Sequence, residues 1–260
     1  MSSVFSLLHD DLQKALTARH WQPTPIQNAA IPEIIKGNSR LLIAPTGSGK
    51  TLSAILPILH RCISEGWQPL SVLYITPLRA LNRDVDRRLQ EIADSVGLRV
   101  GLRHGDTTQS ERSKQVRRPP HILVTTPETF QLMFTGKNLR KLLTTVKAVI
   151  VDEVHDLAAS ERGWQLSVGL ARMEALSGQK VQRIGLSATV GNPQQVAEWL
   201  AEDGEAIIET GKRVTEIVVE TEFPTTEDET GGIEYAIPSR AHAIFRQVIS
   251  IIENDAPCLL

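Results

Sequence analysis

Short apolar runs, bounded by Gly, Pro or Thr, alternate along this chain with longer stretches whose apolar residues recur every third or fourth position. The runs are 40–44, 71–76, 98–103, 121–125, 148–152 and 182–187. Their continuous apolar character predicts strands covered on both faces. Helices are predicted over 50–65, 78–95, 127–135, 162–176 and 193–200. Strands alternating with helices imply an α/β fold, with a mostly parallel sheet, helices on both faces and right-handed crossovers. Pro25, Pro45, Pro77 and Pro127 fall at strand ends or helix starts, where a missing N–H costs little. Polar residues at the carboxyl ends of the strands would then face one crevice, the place where open α/β sheets bind ligands.

Past about residue 210 the texture changes. "VTEIVVETEFP" alternates like a strand, and "TTEDETGG" reads as a solvated acidic connector. A helix is expected over 239–253, followed by "APCLL", an apolar run that starts as the chain stops. The expected organisation is one domain over 1–210, a connector over 211–237, and over 238–260 the beginning of a second domain belonging to a longer protein.

The densest chemistry lies in "APTGSGKT", residues 44–51, directly after an apolar strand. Its glycines allow a tight turn whose N–H groups face one centre, and a helix N-terminus adds to the same field. Thr46, Gly47, Ser48 and Gly49 would form this cradle. Lys50 would reach the β- and γ-phosphates of a nucleotide, and the Thr51 hydroxyl would ligate Mg²⁺. Ala44 stands where the strict pattern has Gly, but it ends the strand outside the tight part of the loop. "AVIVDEVH" closes a second strand with two acids. Asp152 suits the metal, and Glu153 suits the base that orients an attacking water. Together the two stretches imply hydrolysis of a nucleoside triphosphate such as ATP, with Mg²⁺.

With these two in place, an ordered set of segments resembles the first motor domain of a superfamily 2 helicase of the DEAD/DEAH type, with a RecA-like P-loop fold. "PTPIQ" (Pro23–Gln27) resembles the Q motif and "APTGSGKT" motif I. "TPLRALNRD" (Thr76–Asp84) and "TTPETF" (Thr125–Phe130) resemble motifs Ia and Ib. "DEVH" (Asp152–His155) resembles motif II, and "SAT" (Ser187–Thr189) motif III. A Ser-x-Arg-Gly element, Ser160–Gly163, and "ATVGNP" after motif III are similar to the Lhr (large helicase-related) branch near the Ski2-like helicases.

The resemblance implies an ATP-dependent translocase acting on single-stranded DNA or RNA. It implies that Gln27 reads the adenine edge and that His155, Ser187 and Thr189 couple hydrolysis to movement. Arg79, Thr125 and Thr126 lie after strands and offer groups to a nucleic-acid phosphate, and the turn at Gly105 belongs to a loop this family places near the strand. Arg79 also reads as a solvated helix-start arginine, Asp106 equally as a turn residue, and Arg117–Arg118 better as a solvated loop. In this superfamily an arginine finger comes from a second motor domain, so weak hydrolysis is expected of these 260 residues alone. Rival classes are a remodeller of nucleic acid–protein complexes, a nucleotide switch without turnover and a P-loop kinase. Glu153 argues against the switch, and "PTPIQ" with "SAT" argues against the kinase.

Bulk properties temper this picture without changing it. A net charge of −2 rules out a broad basic coat, so strand binding would rest on a few groups in a groove. Aromatic residues are only 4%, too few for extensive base stacking. No stretch suits a membrane span or a signal peptide. The distant pair Cys62 and Cys258 reads as buried thiols, fitting a reducing cytoplasm. The histidines show no metal spacing. Trp164 and Trp199 are expected in the core, and Trp21 beside the adenine site.

Overall fold

A computed structural model describes residues 3–77, 82–209 and 224–254. The chain forms two compact units, Met1–Gly211 and Lys212–Leu260. In the first unit the strands are β1 (Arg40–Ile43), β2 (Val72–Ile75), β3 (Val100–Arg103), β4 (Ile122–Thr125), β5 (Ala148–Val151), β6 (Gln182–Ser187) and β7 (Glu205–Ile208). Its helices are α1 (Asp10–Ala18), α2 (Pro25–Ile35), α3 (Lys50–Ser64), α4 (Asn82–Ser95), α5 (Gln109–Arg117), α6 (Pro127–Met133), α7 (Lys137–Leu142), α8 (Val154–Ala158), α9 (Glu161–Ser177) and α10 (Pro193–Leu200).

The seven strands form one sheet in the order β3-β4-β2-β5-β6-β1-β7. Every pairing is parallel, with Leu42 opposite Leu186 and Tyr74 opposite both Val124 and Ile150. Because strand side chains alternate, each strand feeds two cores. Leu42, Val72, Tyr74, Val124, Ile150 and Leu186 face the side covered by α1–α4. Leu41, Leu73, Leu123, Val149 and Val151 face the side covered by α6 and α8–α10. This double burial is why the strands read as unbroken apolar runs.

Some elements depart from expectation. β7 was not foreseen; it is a half-exposed edge strand pairing only with β1, so it needs little apolar signal. Nor was α5, which buries no residue and therefore carries no apolar period. Trp164, expected in the core, is 65% exposed on α9, whereas Trp199 packs against the second core. The α9 stripe that enters the core runs through Leu166, Leu170 and Met173, out of phase with Trp164. Trp21 is half-exposed, with the Arg19 guanidinium 5.9 Å from its ring.

The second unit contains α11 (Thr226–Glu234) and α12 (Ser239–Asn254). The acidic run expected as a solvated connector is largely helical here. Its Asp228 is fully buried and accepts hydrogen bonds from the Thr225 N–H at 2.9 Å and from Arg246 Nε at 3.1 Å. His242 Nδ1 lies 3.0 Å from the same carboxylate. These partners hold the carboxyl well below the usual carboxylate range, Arg246 foremost. The alternating stretch 214–224 falls almost wholly outside the described residues, as do "APCLL" and Cys258.

Candidate nucleotide and strand-binding edge

In a parallel sheet every strand ends on the same edge, so strand order sets the order of the loops. Along that edge come Gly105 after β3, Thr125–Thr126 at β4, Thr76–Pro77 after β2, Asp152–Glu153 after β5, Ser187 at β6 and 44–51 after β1. Gly105, Thr125 and Thr126, expected at a nucleic-acid strand, thus lie on one side, and the residues expected at a nucleotide on the other.

Gly47 and Gly49 take left-handed backbone conformations, with φ of 76° and 91°. An L side chain is strained there, and a Cβ on Gly49 would also lie 2.6 Å from Gln27 Nε2. Gln27 is buried against the back of this loop. Its amide nitrogen donates to the Gly49 carbonyl at 3.3 Å, and its amide oxygen accepts from the Thr24 N–H at 3.0 Å. The Ser48 N–H closes the turn on the Pro45 carbonyl at 3.3 Å, and the Ser48 hydroxyl is buried with no partner among the described residues. Thr46 is exposed. Lys50 donates from its ammonium to the carbonyls of Ala44 and, at 2.9 Å, of Pro45.

Asp152 and Glu153 follow β5, separated from β1 only by β6. Burial lowers the Lys50 pKa, while Glu153 and Asp152 oppose that shift. The influence is mutual: burial raises both carboxyl pKa values, and Lys50 counteracts each rise. Two adjacent carboxylates whose charge is only partly compensated favour a nearby cation. The Asp152 oxygens accept from the Glu153 N–H at 2.9 Å and from the Tyr74 hydroxyl at 2.5 Å. Thr51 influences the same phenol, its hydrogen bonding opposing an upward shift caused mainly by burial. Glu153 itself sits at φ 49°, ψ 48°. For a residue other than glycine that conformation costs about 1–3 kcal/mol and is retained mostly at functional sites.

A hydroxyl, a carboxylate and phosphate oxygens are the hard donors that Mg²⁺ takes, so Thr51 and Asp152 fit this ion. Among the described residues no group of three or more His, Cys, Asp or Glu could hold a metal. Mg²⁺ needs no such cage when the triphosphate supplies ligands.

His155 links this acidic turn to the end of β6. Its Nδ1 lies 3.1 Å from the Ser187 hydroxyl, which donates to the Thr189 carbonyl at 3.0 Å. Since the hydroxyl proton is spent on Thr189, the imidazole must donate through Nδ1–H. Glu153 Oε2 is 3.4 Å from the same nitrogen, so the ring touches both the acidic pair and Ser187. Thr189 enters through its main chain, and its side chain is exposed.

On the other half of the edge, Arg79 lies outside the described residues. Thr125 is fully buried, and the Thr126 hydroxyl accepts from the Thr129 N–H at 3.3 Å as the cap of α6. The Thr126 hydroxyl is therefore spent on this cap, whereas the buried Thr125 hydroxyl has no hydrogen-bond partner among the described residues. Gly105 is exposed, and Arg112 secures its turn by donating to the carbonyls of His104 and Gly105 at 3.0 Å and of Thr107 at 2.9 Å.

Two contributors escaped the sequence reading. Tyr74 looks like any apolar strand residue until the fold sets its hydroxyl on Asp152. Arg162, inside the Ser-x-Arg-Gly element, donates to Glu128 at 2.6 Å and to the Pro77 carbonyl at 3.5 Å, joining the segments after β5, β4 and β2.

Such an edge, with a glycine-rich loop and a two-acid turn flanking a central strand, defines a RecA-like nucleoside triphosphatase domain. Residues 24–196 match the DEAD/DEAH box helicase family, and the chain belongs to it. It is 34% identical to the ATP-dependent helicase Lhr-Core protein 2 of Thermococcus barophilus, over 99% of this chain and 32% of that one. It is 44% identical to the Lhr helicase/uracil glycosylase of Escherichia coli, over 76% of this chain and 14% of that protein. Among solved structures it resembles the Mycobacterium smegmatis helicase Lhr bound to ssDNA and AMP-PNP, with a TM-score of 0.72 and 39% identity over 80% of this chain and 28% of that one. The chain thus spans less than a third of the length of these relatives.

Proposed function

We propose that residues 1–210 are the first motor domain of an Lhr-type, ATP-dependent helicase or translocase, with 211–237 a connector whose helix α11 bonds to α12 and 238–260 the start of a second motor domain. The observation that carries this reading is that the glycine-rich loop after β1 and the two-acid turn after β5 leave the same sheet edge on either side of β6. ATP with Mg²⁺ supplies the anhydride bond whose cleavage drives movement. Lys50 holds the β- and γ-phosphates, and the loop from Thr46 to Gly49 surrounds them. Thr51 and Asp152 hold the metal, and Glu153 orients and deprotonates the attacking water. Gln27 keeps one amide proton and one lone pair beyond its bonds to Gly49 and Thr24, enough to meet the adenine edge. His155 passes the change at the acidic turn to Ser187 and Thr189. A single strand of DNA or RNA runs over the half of the edge formed by β2, β4 and β3, held by Arg79, the Gly105 turn and the main chain around Thr126. The reading suits a cytoplasmic enzyme; among the described residues no helix is long and apolar enough to cross a membrane.

The test is binding of a fluorescent ATP analogue to the 260-residue chain. Lys50→Ala should abolish Mg²⁺-dependent binding, whereas Glu153→Gln should retain it. Turnover by this chain should stay roughly 10³–10⁵-fold below that of a motor with its arginine finger in place. Binding indifferent to Lys50→Ala, or brisk strand-stimulated turnover, would overturn the proposal.

A further inference from the structure

We infer that Tyr74 is a positioning residue for the metal, its phenol orienting the Asp152 carboxylate. The inference rests on reading this edge as an ATP–Mg²⁺ site.

Tyr74 occupies the middle of β2, and its ring lies in the apolar cluster beside Ile55 and Ile58 of α3 and Ile150 of β5. It is fully buried, and a phenol hydroxyl brought to that depth needs a partner. It finds Asp152 Oδ2 at 2.5 Å. β2 pairs with β5, and the Asp152 N–H donates to the Ile75 carbonyl at 2.8 Å, so phenol and carboxylate are fixed by the same ladder.

A phenol has one proton, and that proton goes to Asp152. Tyr74 thus holds Oδ2 while the Glu153 N–H holds Oδ1, leaving one lone pair on each oxygen for a cation or its water. Partners of this kind behind a metal ligand typically govern affinity by about 10–100-fold.

Tyr74→Phe keeps the ring and removes only the hydroxyl that orients Asp152. In the 260-residue chain, a fluorescent ATP analogue should bind in EDTA with affinity within about 2-fold of wild type. Its Mg²⁺ half-saturation concentration should rise by about 10-fold. An unchanged Mg²⁺ response in a folded variant would overturn this inference and leave the ATP site standing. A wild-type chain that binds no analogue would overturn both. A second readout needs no substitution. The sequence has two tyrosines, and Tyr235 is 65% exposed, so ¹³Cζ-tyrosine NMR separates Tyr74. Its resonance should shift when Mg²⁺ is added to the nucleotide-bound chain, and a resonance blind to Mg²⁺ would refute this role even if the variant failed to fold.

Discussion

Gly163→Ala, in the Ser-x-Arg-Gly element, should cripple the fold although it adds a single methyl. A Cβ at this position would lie 1.9 Å from the Leu157 carbonyl oxygen and 2.6 Å from its carbon. That carbonyl cannot turn aside easily, because it accepts from both the Ser160 N–H and the Ser160 hydroxyl at 2.8 Å. The same hydroxyl accepts from the Gly163 N–H at 3.2 Å, capping α9. Relieving the overlap therefore means sacrificing the cap, about 1 kcal/mol, and moving α9 against α8, about 1–3 kcal/mol for an overpacked contact. The expected loss is about 3 kcal/mol, or roughly 6–12 °C in Tm for a domain of this size. The assay is thermal and urea denaturation of Gly163→Ala beside Gly178→Ala. Gly178 also ends a helix, at φ 66°, but nothing lies within 4 Å of its would-be Cβ, so only backbone strain of about 1–2 kcal/mol applies there. If Gly163→Ala proved as stable as wild type, or no worse than Gly178→Ala, close packing would not explain the glycine.

Glu33 should make the fold acid-sensitive. Hydrogen bonds from Lys36, Asn38 and Arg40 hold its pKa at about 2, so the stability it contributes is present above pH 4.5 and is lost as pH falls through about 2. Glu33→Gln should therefore lower Tm at pH 7, with the gap to wild type closing between pH 4.5 and 2; a gap constant over that window would refute the assignment. Cys62 is 2% exposed, and burial pushes its thiol up to about 12. In a Cys258→Ser variant the remaining thiol should react with DTNB at pH 8 about a thousand-fold more slowly than a free cysteine until the chain is unfolded, and fast native labelling would contradict this burial.

Much of the fold was legible because its main signals are local. Runs such as "LLI" and "AVIV" become β1 and β5, buried on both faces. Where burial is slight the signal fades: β7 lies at an edge, and α5 covers no core. The latter did leave a trace, since Thr108 and Glu111 form the reciprocal cap that opens α5. At the site, spacing alone located the glycine turn and the two-acid turn, because a tight turn with left-handed backbones needs glycines in sequence. That the Thr126 hydroxyl caps α6 was not legible, because a position at a strand end does not say whether a side chain faces solvent or the next helix.

The sequence by itself determined the short-range chemistry: two glycines with left-handed backbones before Lys50, two acids after an apolar strand, and the caps that begin the helices. Those choices depend on φ, ψ and hydrogen bonds within a few residues. Only the tertiary structure decided that β6 stands between β1 and β5, so that Lys50 and Asp152 sense each other's charge. It alone placed the phenol of Tyr74 on a carboxylate from another strand and Arg162 across Glu128 and Pro77. Strand order and side-chain depth come from closing long loops around a shared core, and no local pattern records which strands become neighbours.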